Sequence, residues 1–115
     1  MTDLIAALTT GLSLALAGVI VVAVAYRGQR GTLRRNLWVG LRTATLMESD
    51  EAWTTGHRAA ARYMYVAGAG LIVAGVASVF LTEAALAIVA LAGCVWVLAW
   101  VLIASRVATT AAARE

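Results

Sequence analysis

This sequence has no proline and no lysine, and it contains a single cysteine, a single histidine and a single phenylalanine. One cysteine excludes an internal disulfide, and no Cys/His set has the spacing of a metal site. Charged residues make up 13% of the 115 residues and hydrophobic residues 63%, whereas soluble domains have about 25% and about 45–50%. The composition therefore predicts a single integral membrane domain over residues 1–115, with no metal and no cofactor.

Three apolar runs, at about 4–26, 59–81 and 84–104, match the roughly 20 residues that a helix needs to cross a bilayer. The first run is too long for the core of a signal peptide and no basic residue precedes it, so we predict a retained span. No span has a charged residue near its middle, which argues against a pump or channel working alone. The predicted fold class is an all-α membrane protein with three transmembrane helices, a loop over 27–58 and a tight hairpin between the second and third helices.

All nine basic residues are arginines, and they lie on one side of these spans. Seven lie between the first and second spans or at the start of the second, and two follow the third: Arg27, Arg30, Arg34, Arg35, Arg42, Arg58, Arg62, Arg106 and Arg114. The positive-inside rule places this loop and the C-terminus in the cytoplasm and the N-terminus outside. Arginines beside membrane spans indicate contact with anionic lipid headgroups and not with nucleic acid.

Small residues recur every four positions in the first two spans. They are Gly11 and Ala15 in the first span and Gly70, Ala74 and Ser78 in the second. Such stripes let helix backbones approach closely. They serve either to pack the three helices on one another or to bind a partner, so a homo-oligomer and a larger complex both remain open.

The first part of the loop has a helical spacing of leucines: Leu33, Leu37 and Leu41. This spacing predicts a short interfacial helix with the leucines at the acyl boundary. Arg42 comes next, and a guanidinium binds a carboxylate or a phosphate through two parallel hydrogen bonds. We expect Arg42 to contact a lipid, or to pair with Asp50 or Glu51 if the loop folds back.

The second part of the loop is acidic and carries signals for the start of a helix. Thr45 and the glutamate three residues later have capping-box spacing, and Ser49 or Asp50 would cap equally well. We predict a helix that begins here and continues into the second span, with Trp53 lying flat at the interface. His57 has no partnered nucleophile, so a satisfied hydrogen-bonding role is favoured over that of a general base.

Ten residues of the loop, here called the loop motif, form one combined pattern: Asn36, Gly40, Arg42, Thr43, Ser49, Asp50, Glu51, Trp53, His57 and Arg58. The pattern resembles that of the SdpI/YfhL family, bacterial membrane proteins named for immunity to a sporulation-delaying toxin. The resemblance covers about residues 33–62 together with the order of the spans. The sequence departs from the family at Ala44, where many members have proline, and at Leu46, where threonine is common.

The resemblance implies a non-enzymatic, multi-pass protein of the bacterial cytoplasmic membrane with a role in immunity or signalling. The member that gives the family its name has additional spans, protects against a secreted membrane-active toxin and holds a transcriptional repressor at the membrane. We therefore expect the loop motif to form a polar cap that binds a protein partner or toxin, or that holds the spans in place. Two alternatives stay open: an accessory subunit of a larger membrane complex, and a lipid-headgroup enzyme with His57 as base and Arg42 and Arg58 on phosphate.

Overall fold

Three long helices account for most of the computed structural model, which describes residues 2–114. These are α1 (Thr2–Arg30), α2 (Asp50–Ser78) and α3 (Glu83–Ala113), with a short 3₁₀ helix at Leu46–Glu48 before α2. No strand occurs in this part of the chain, and each long helix is apolar and long enough to cross a membrane. The predicted all-α membrane fold is confirmed; the domain predicted over 1–115 includes one residue at each end that lies outside the described residues.

The boundary between α1 and the loop is set by a glycine. Gly31 has a φ of +74°, a left-handed conformation that commonly ends a helix. The amide of Thr32 then donates to the carbonyl of Arg27 at 2.9 Å, which satisfies one of the last carbonyls of α1. Arg27 and Arg30 lie in the last turn, where positive charge suits the helix dipole.

The start of α2 is capped by Ser49. Its backbone is extended, and its Oγ accepts a hydrogen bond from the amide of Ala52 at 3.0 Å. Thr45 precedes the 3₁₀ helix instead and makes no side-chain cap bond. As predicted, one uninterrupted helix then continues from the loop into the membrane, so the second half of the loop motif and the second span form a single rigid element.

The predicted interfacial helix is wrong, because residues 31–45 contain no helix. Leu33 and Leu41 are buried in the core, whereas Leu37 is exposed. The reason is local competition for the backbone. The side-chain oxygen of Asn36 accepts hydrogen bonds from the amides of Trp38 and Val39. Gly40 adopts a φ of +111°, which a right-handed helix does not allow.

Helix α2 lies between α1 and α3, which scarcely touch each other. Its contact with α1 is made through small residues. A Cβ added to Gly11 would lie 2.7 Å from the carbonyl oxygen of Gly75, and a Cβ added to Gly75 would lie 2.5 Å from the amide nitrogen of Ala15. Gly18 and Gly68 make a similar backbone approach about two helical turns nearer the loop.

The contact between α2 and α3 uses the other small residues of α2. Gly70 faces the indole of Trp96, which donates to the carbonyl oxygen of Val66 at 2.9 Å. Ala74 faces Gly93 on α3, and buried Ser78 donates back to the carbonyl of Ala74 at 2.7 Å. The small residues singled out in the sequence therefore lie at contacts within this chain.

Candidate functional site

The centre of the loop motif is a buried tryptophan. Trp53 is only 1% exposed, and its indole Nε1 donates to the backbone carbonyl of Leu33 at 2.9 Å. The prediction that Trp53 lies flat at the membrane interface is wrong. The loop folds back over the start of α2 and covers the ring, so the tryptophan joins the loop to the helix.

His57 lies one turn after Trp53 and is 3% exposed. Its Nε2 accepts a hydrogen bond from the amide of Leu41 at 2.9 Å, and its Nδ1 is 2.9 Å from the carbonyl oxygen of Trp53. Because a carbonyl oxygen can only accept, Nδ1 carries the proton and the imidazole is neutral. Both ring nitrogens are thus used in holding the backbone, and the ring also packs on Trp53 with 4.2 Å between centroids.

Gly40 fits against these two rings. A Cβ at this position would lie 2.8 Å from Nε2 of His57 and 3.0 Å from the six-membered ring of Trp53. Its φ of +111° is also strained for any residue with a side chain. Two independent requirements, backbone conformation and space, therefore call for glycine at this point of the loop motif.

Asn36 and Arg42 organise the tip of the loop. The Oδ1 atom of Asn36 accepts from the amides of Trp38 at 2.8 Å and Val39 at 2.7 Å, and its Nδ2 donates to the carbonyl of Arg34 at 2.8 Å. The guanidinium of Arg42 donates to the carbonyl of Leu37. These side chains replace the hydrogen bonds that a helix or sheet would supply to the backbone.

The expected pairing of Arg42 with Asp50 or Glu51 is wrong. Asp50 pairs instead with Arg35, whose Nε lies 3.3 Å from the carboxylate and whose NH1 donates to the carbonyl of Met47 at 2.8 Å. Arg35 precedes the tip and reaches the start of α2, whereas Arg42 is already held at the carbonyl of Leu37. The Asp50 side chain is 85% exposed, so this ion pair contributes little stability.

Thr43 connects the loop to α3. Its hydroxyl lies 3.1 Å from that of Thr109 and accepts weakly from the amide of Leu46 at 3.4 Å. Leu46 is fully buried and packs directly over Gly56 on α2, where a side chain at position 56 would leave it no room. Sequence reasoning missed Thr109 and Gly56, because neither has a local pattern that marks it.

Arg58 and Gln29 connect α2 to the end of α1. The Nε atom of Arg58 donates to the backbone carbonyl of Gln29 at 3.3 Å, and the hydroxyl of Tyr65 donates to the Gln29 side chain at 2.8 Å. Within the same region Gly28 lies against the β-carbon of His57. The loop motif therefore lies where α1, α2 and α3 come together at the arginine-rich end of the molecule.

The residues considered for a lipid-headgroup enzyme are bonded to backbone groups of the chain itself. His57 is buried with both nitrogens engaged, while Arg42 and Arg58 are directed to the separate carbonyls of Leu37 and Gln29. In the described part of the chain, no three His, Cys, Asp or Glu side chains converge to hold a metal ion. Nor does any buried side-chain polar atom among residues 3–114 lack a hydrogen-bond partner.

The model of the SdpI/YfhL protein family matches residues 32–104, which is more than half of the chain. The chain belongs to the SdpI/YfhL family. No curated protein and no solved structure matched it. The part that matches this SdpI/YfhL model begins just after α1 and includes the whole loop motif, α2 and most of α3.

In this member of the SdpI/YfhL family, several residues of the loop motif hold the loop in its conformation. Asn36 binds backbone amides within the loop, His57 binds the loop backbone to α2, and Gly40 lets that backbone approach the rings of Trp53 and His57. The Trp supplies the surface on which the loop packs. Residues through which the loop resembles the SdpI/YfhL family thus also shape the loop.

Proposed function

We propose that this chain is a non-enzymatic, SdpI-type immunity or signalling protein of the bacterial cytoplasmic membrane, in which the loop motif acts as a structural cap. The observation that carries the proposal is His57: both ring nitrogens bind the chain's own backbone. The cap lies on the cytoplasmic side, as the distribution of the nine arginines favours. It fixes the ends of the three helices relative to one another.

Contacts from each helix support a structural cap. The loop is tied to α2 through Trp53 and His57 and to α3 through Thr43, while Arg58 ties α2 to α1. A chain of only three helices, two of which barely touch, has few other contacts that set its shape. In the proposed role, this fixed arrangement resists a membrane-active toxin or presents the cap to a protein partner.

A challenge assay tests the immunity role. Bacteria that express the chain are exposed to a panel of secreted, membrane-depolarising peptides, and survival and membrane potential are measured against cells with an empty vector. We expect protection against at least one peptide, and we expect Arg42→Ala to lose it because the carbonyl of Leu37 at the loop tip is released. Arg106→Ala, which removes the same charge from α3, is the matched control and should keep protection.

Membrane levels of each variant are measured by immunoblot so that loss of function is not confused with loss of protein. Survival equal to the empty vector across the panel would argue against immunity. Full protection by Arg42→Ala would argue against the cap.

The alternative role, as an accessory subunit of a larger membrane complex, draws on the outer surfaces of α1 and α3. Large apolar side chains such as Leu12, Leu16 and Leu98 are exposed there, and α2 covers only the inner sides of both helices. Native mass spectrometry of the chain extracted in mild detergent separates the two roles. A stoichiometric protein partner favours the subunit, and the chain alone or as a homodimer favours the self-contained role.

A further inference from the structure

A groove of about 550 Å³ opens between the last turns of α1 and the tip of the loop. Its volume falls in the range of about 300–1,000 Å³ that is usual for small-molecule sites. The apolar part of its lining comes from both segments: Ile20, Ala23, Val24, Leu33, Trp38 and Val39. The guanidinium-bearing residues Arg27 and Arg34 also line it. The groove thus combines a long apolar wall with two cations.

The position of the groove along α1 places it at the edge of the membrane. Arg27 is the first charged residue after the apolar run 4–26. At 1.5 Å per residue, Ala23 lies about 6 Å and Ile20 about 10 Å further into the membrane than Arg27. Trp38 lines the same groove as Ile20 and Ala23, so the loop tip lies level with the end of the apolar run, where we expect acyl chains and not bulk water.

The exposed side chains and the hydrogen bonds of the loop tip suit a position at the edge of the membrane. Trp38 is 86% exposed and Leu37 is 68% exposed, which is unfavourable for a loop in water. Backbone groups that enter lipid must have internal partners. The amides of Trp38 and Val39 bind Asn36, and the carbonyl of Leu37 binds Arg42. The tip is therefore apolar outside, and three of its backbone groups have partners within the loop.

The two arginines of the groove have no anionic partner. Among residues 2–114 the one ion pair joins Arg35 to Asp50, so the guanidinium groups of Arg27 and Arg34 remain available to a ligand. A phosphate is a strong partner for arginine, because its oxygens accept charge-assisted hydrogen bonds. A free phosphate would use only these two cations and leave the apolar wall empty, whereas a phospholipid uses both.

We propose that this groove binds one anionic phospholipid of the inner leaflet. Its phosphate lies between Arg27 and Arg34, and one acyl chain runs along Trp38 towards Ile20. The bound lipid completes the packing between α1 and the loop, on the side where no other helix covers them. The choice of leaflet rests on the cytoplasmic orientation given under the proposed function; the site itself does not.

Native mass spectrometry with added lipid tests the site. The full chain, purified in mild detergent, is titrated with phosphatidylglycerol and with phosphatidylcholine of the same acyl chains. We expect one phosphatidylglycerol to be retained with at least about tenfold preference, since each arginine near an anionic headgroup contributes severalfold to binding. The double variant Arg27→Gln/Arg34→Gln should lose this preference. The control Arg106→Gln/Arg114→Gln, with the same net charge, should keep it.

Two further experiments identify what binds in the groove. Trp38→Ala should weaken retention of both lipids, because the acyl contact is lost while the arginines stay. Millimolar inorganic phosphate should not displace the lipid; displacement would assign the site to a free anion and overturn the proposal. Three other results would also overturn the proposal. They are equal retention of the two lipids, the same lipid preference in the two double variants, and unchanged lipid retention by Trp38→Ala.

A separate experiment tests the cytoplasmic orientation of the loop. In a Cys94→Ala background, the Glu48→Cys variant, whose position is exposed in the polar part of the loop, is treated with a membrane-impermeant thiol reagent in intact cells and, as a control, in opened membranes. Protection from the reagent agrees with an inner-leaflet site. Labelling from outside would move the site to the outer leaflet and contradict the proposed cytoplasmic cap, whatever the lipid titration shows.

Discussion

Replacing Gly40 with alanine tests whether the loop is held by the close approach of its backbone to α2. The new Cβ would lie 2.8 Å from Nε2 of His57 and 3.0 Å from the ring of Trp53, and both rings are buried. The backbone strain at a φ of +111° costs about 1–3 kcal/mol. Moving His57 away also leaves the amide of Leu41 without an acceptor, at a further cost of about 1–3 kcal/mol.

We therefore expect Gly40→Ala to lower the free energy of unfolding by about 2–6 kcal/mol. Gly31→Ala is the matched control, because Gly31 also has a positive φ but its Cβ would crowd only the flexible end of Arg58 and would meet Thr54 at an ordinary contact distance. That variant should lose only the strain of a left-handed residue, about 1–2 kcal/mol. The assay is equilibrium unfolding in mixed micelles with increasing SDS, followed by tryptophan fluorescence and circular dichroism.

A double-mutant cycle makes the test specific. In a His57→Ala background the imidazole is gone, so Gly40→Ala should cost less than it does in the parent chain. The reasoning is refuted if Gly40→Ala is no worse than Gly31→Ala. It is equally refuted if the cost of Gly40→Ala does not depend on His57.

Three more substitutions test other contacts by the same unfolding assay. His57→Phe should cost about 1–3 kcal/mol, because the buried amide of Leu41 loses its acceptor; a neutral result would show that this bond does not hold the loop. Gly75→Leu should separate α1 from α2, since its Cβ would meet backbone atoms of α1, whereas exposed Val73→Leu should be neutral. Asp50→Asn should cost less than about 1 kcal/mol, because its ion pair is exposed.

The helix that contains the second half of the loop motif was predictable from sequence because its signals are local. Ser49 has the side chain that caps an amide three residues later, acidic residues follow it, and no proline interrupts the helix. The leucine spacing before it was equally local and misleading. Asn36 and two glycines with positive φ oppose a helix there, and they outweigh a weak periodicity.

The partners of the loop motif were harder to predict because they depend on how the loop folds back. Arg35 and Arg42 are both near the acidic residues in sequence, but only Arg35 reaches Asp50. Trp53 on an isolated amphipathic helix would lie at the interface, and it is buried because the loop covers it. The sequence of the helix alone does not indicate that the loop will cover Trp53.

By itself, the sequence determined the class of the protein: hydropathy sets the three spans, and residues 32–104 match the model of the family to which the chain belongs. Both are read along the chain and need no knowledge of distance in space. Only the tertiary structure decided what the loop motif does within the molecule. Leu41 meets His57 across 16 residues and Thr43 meets Thr109 across 66. Such contacts form only when the helices pack, because the backbone groups of an irregular loop then need partners from whichever element lies nearest.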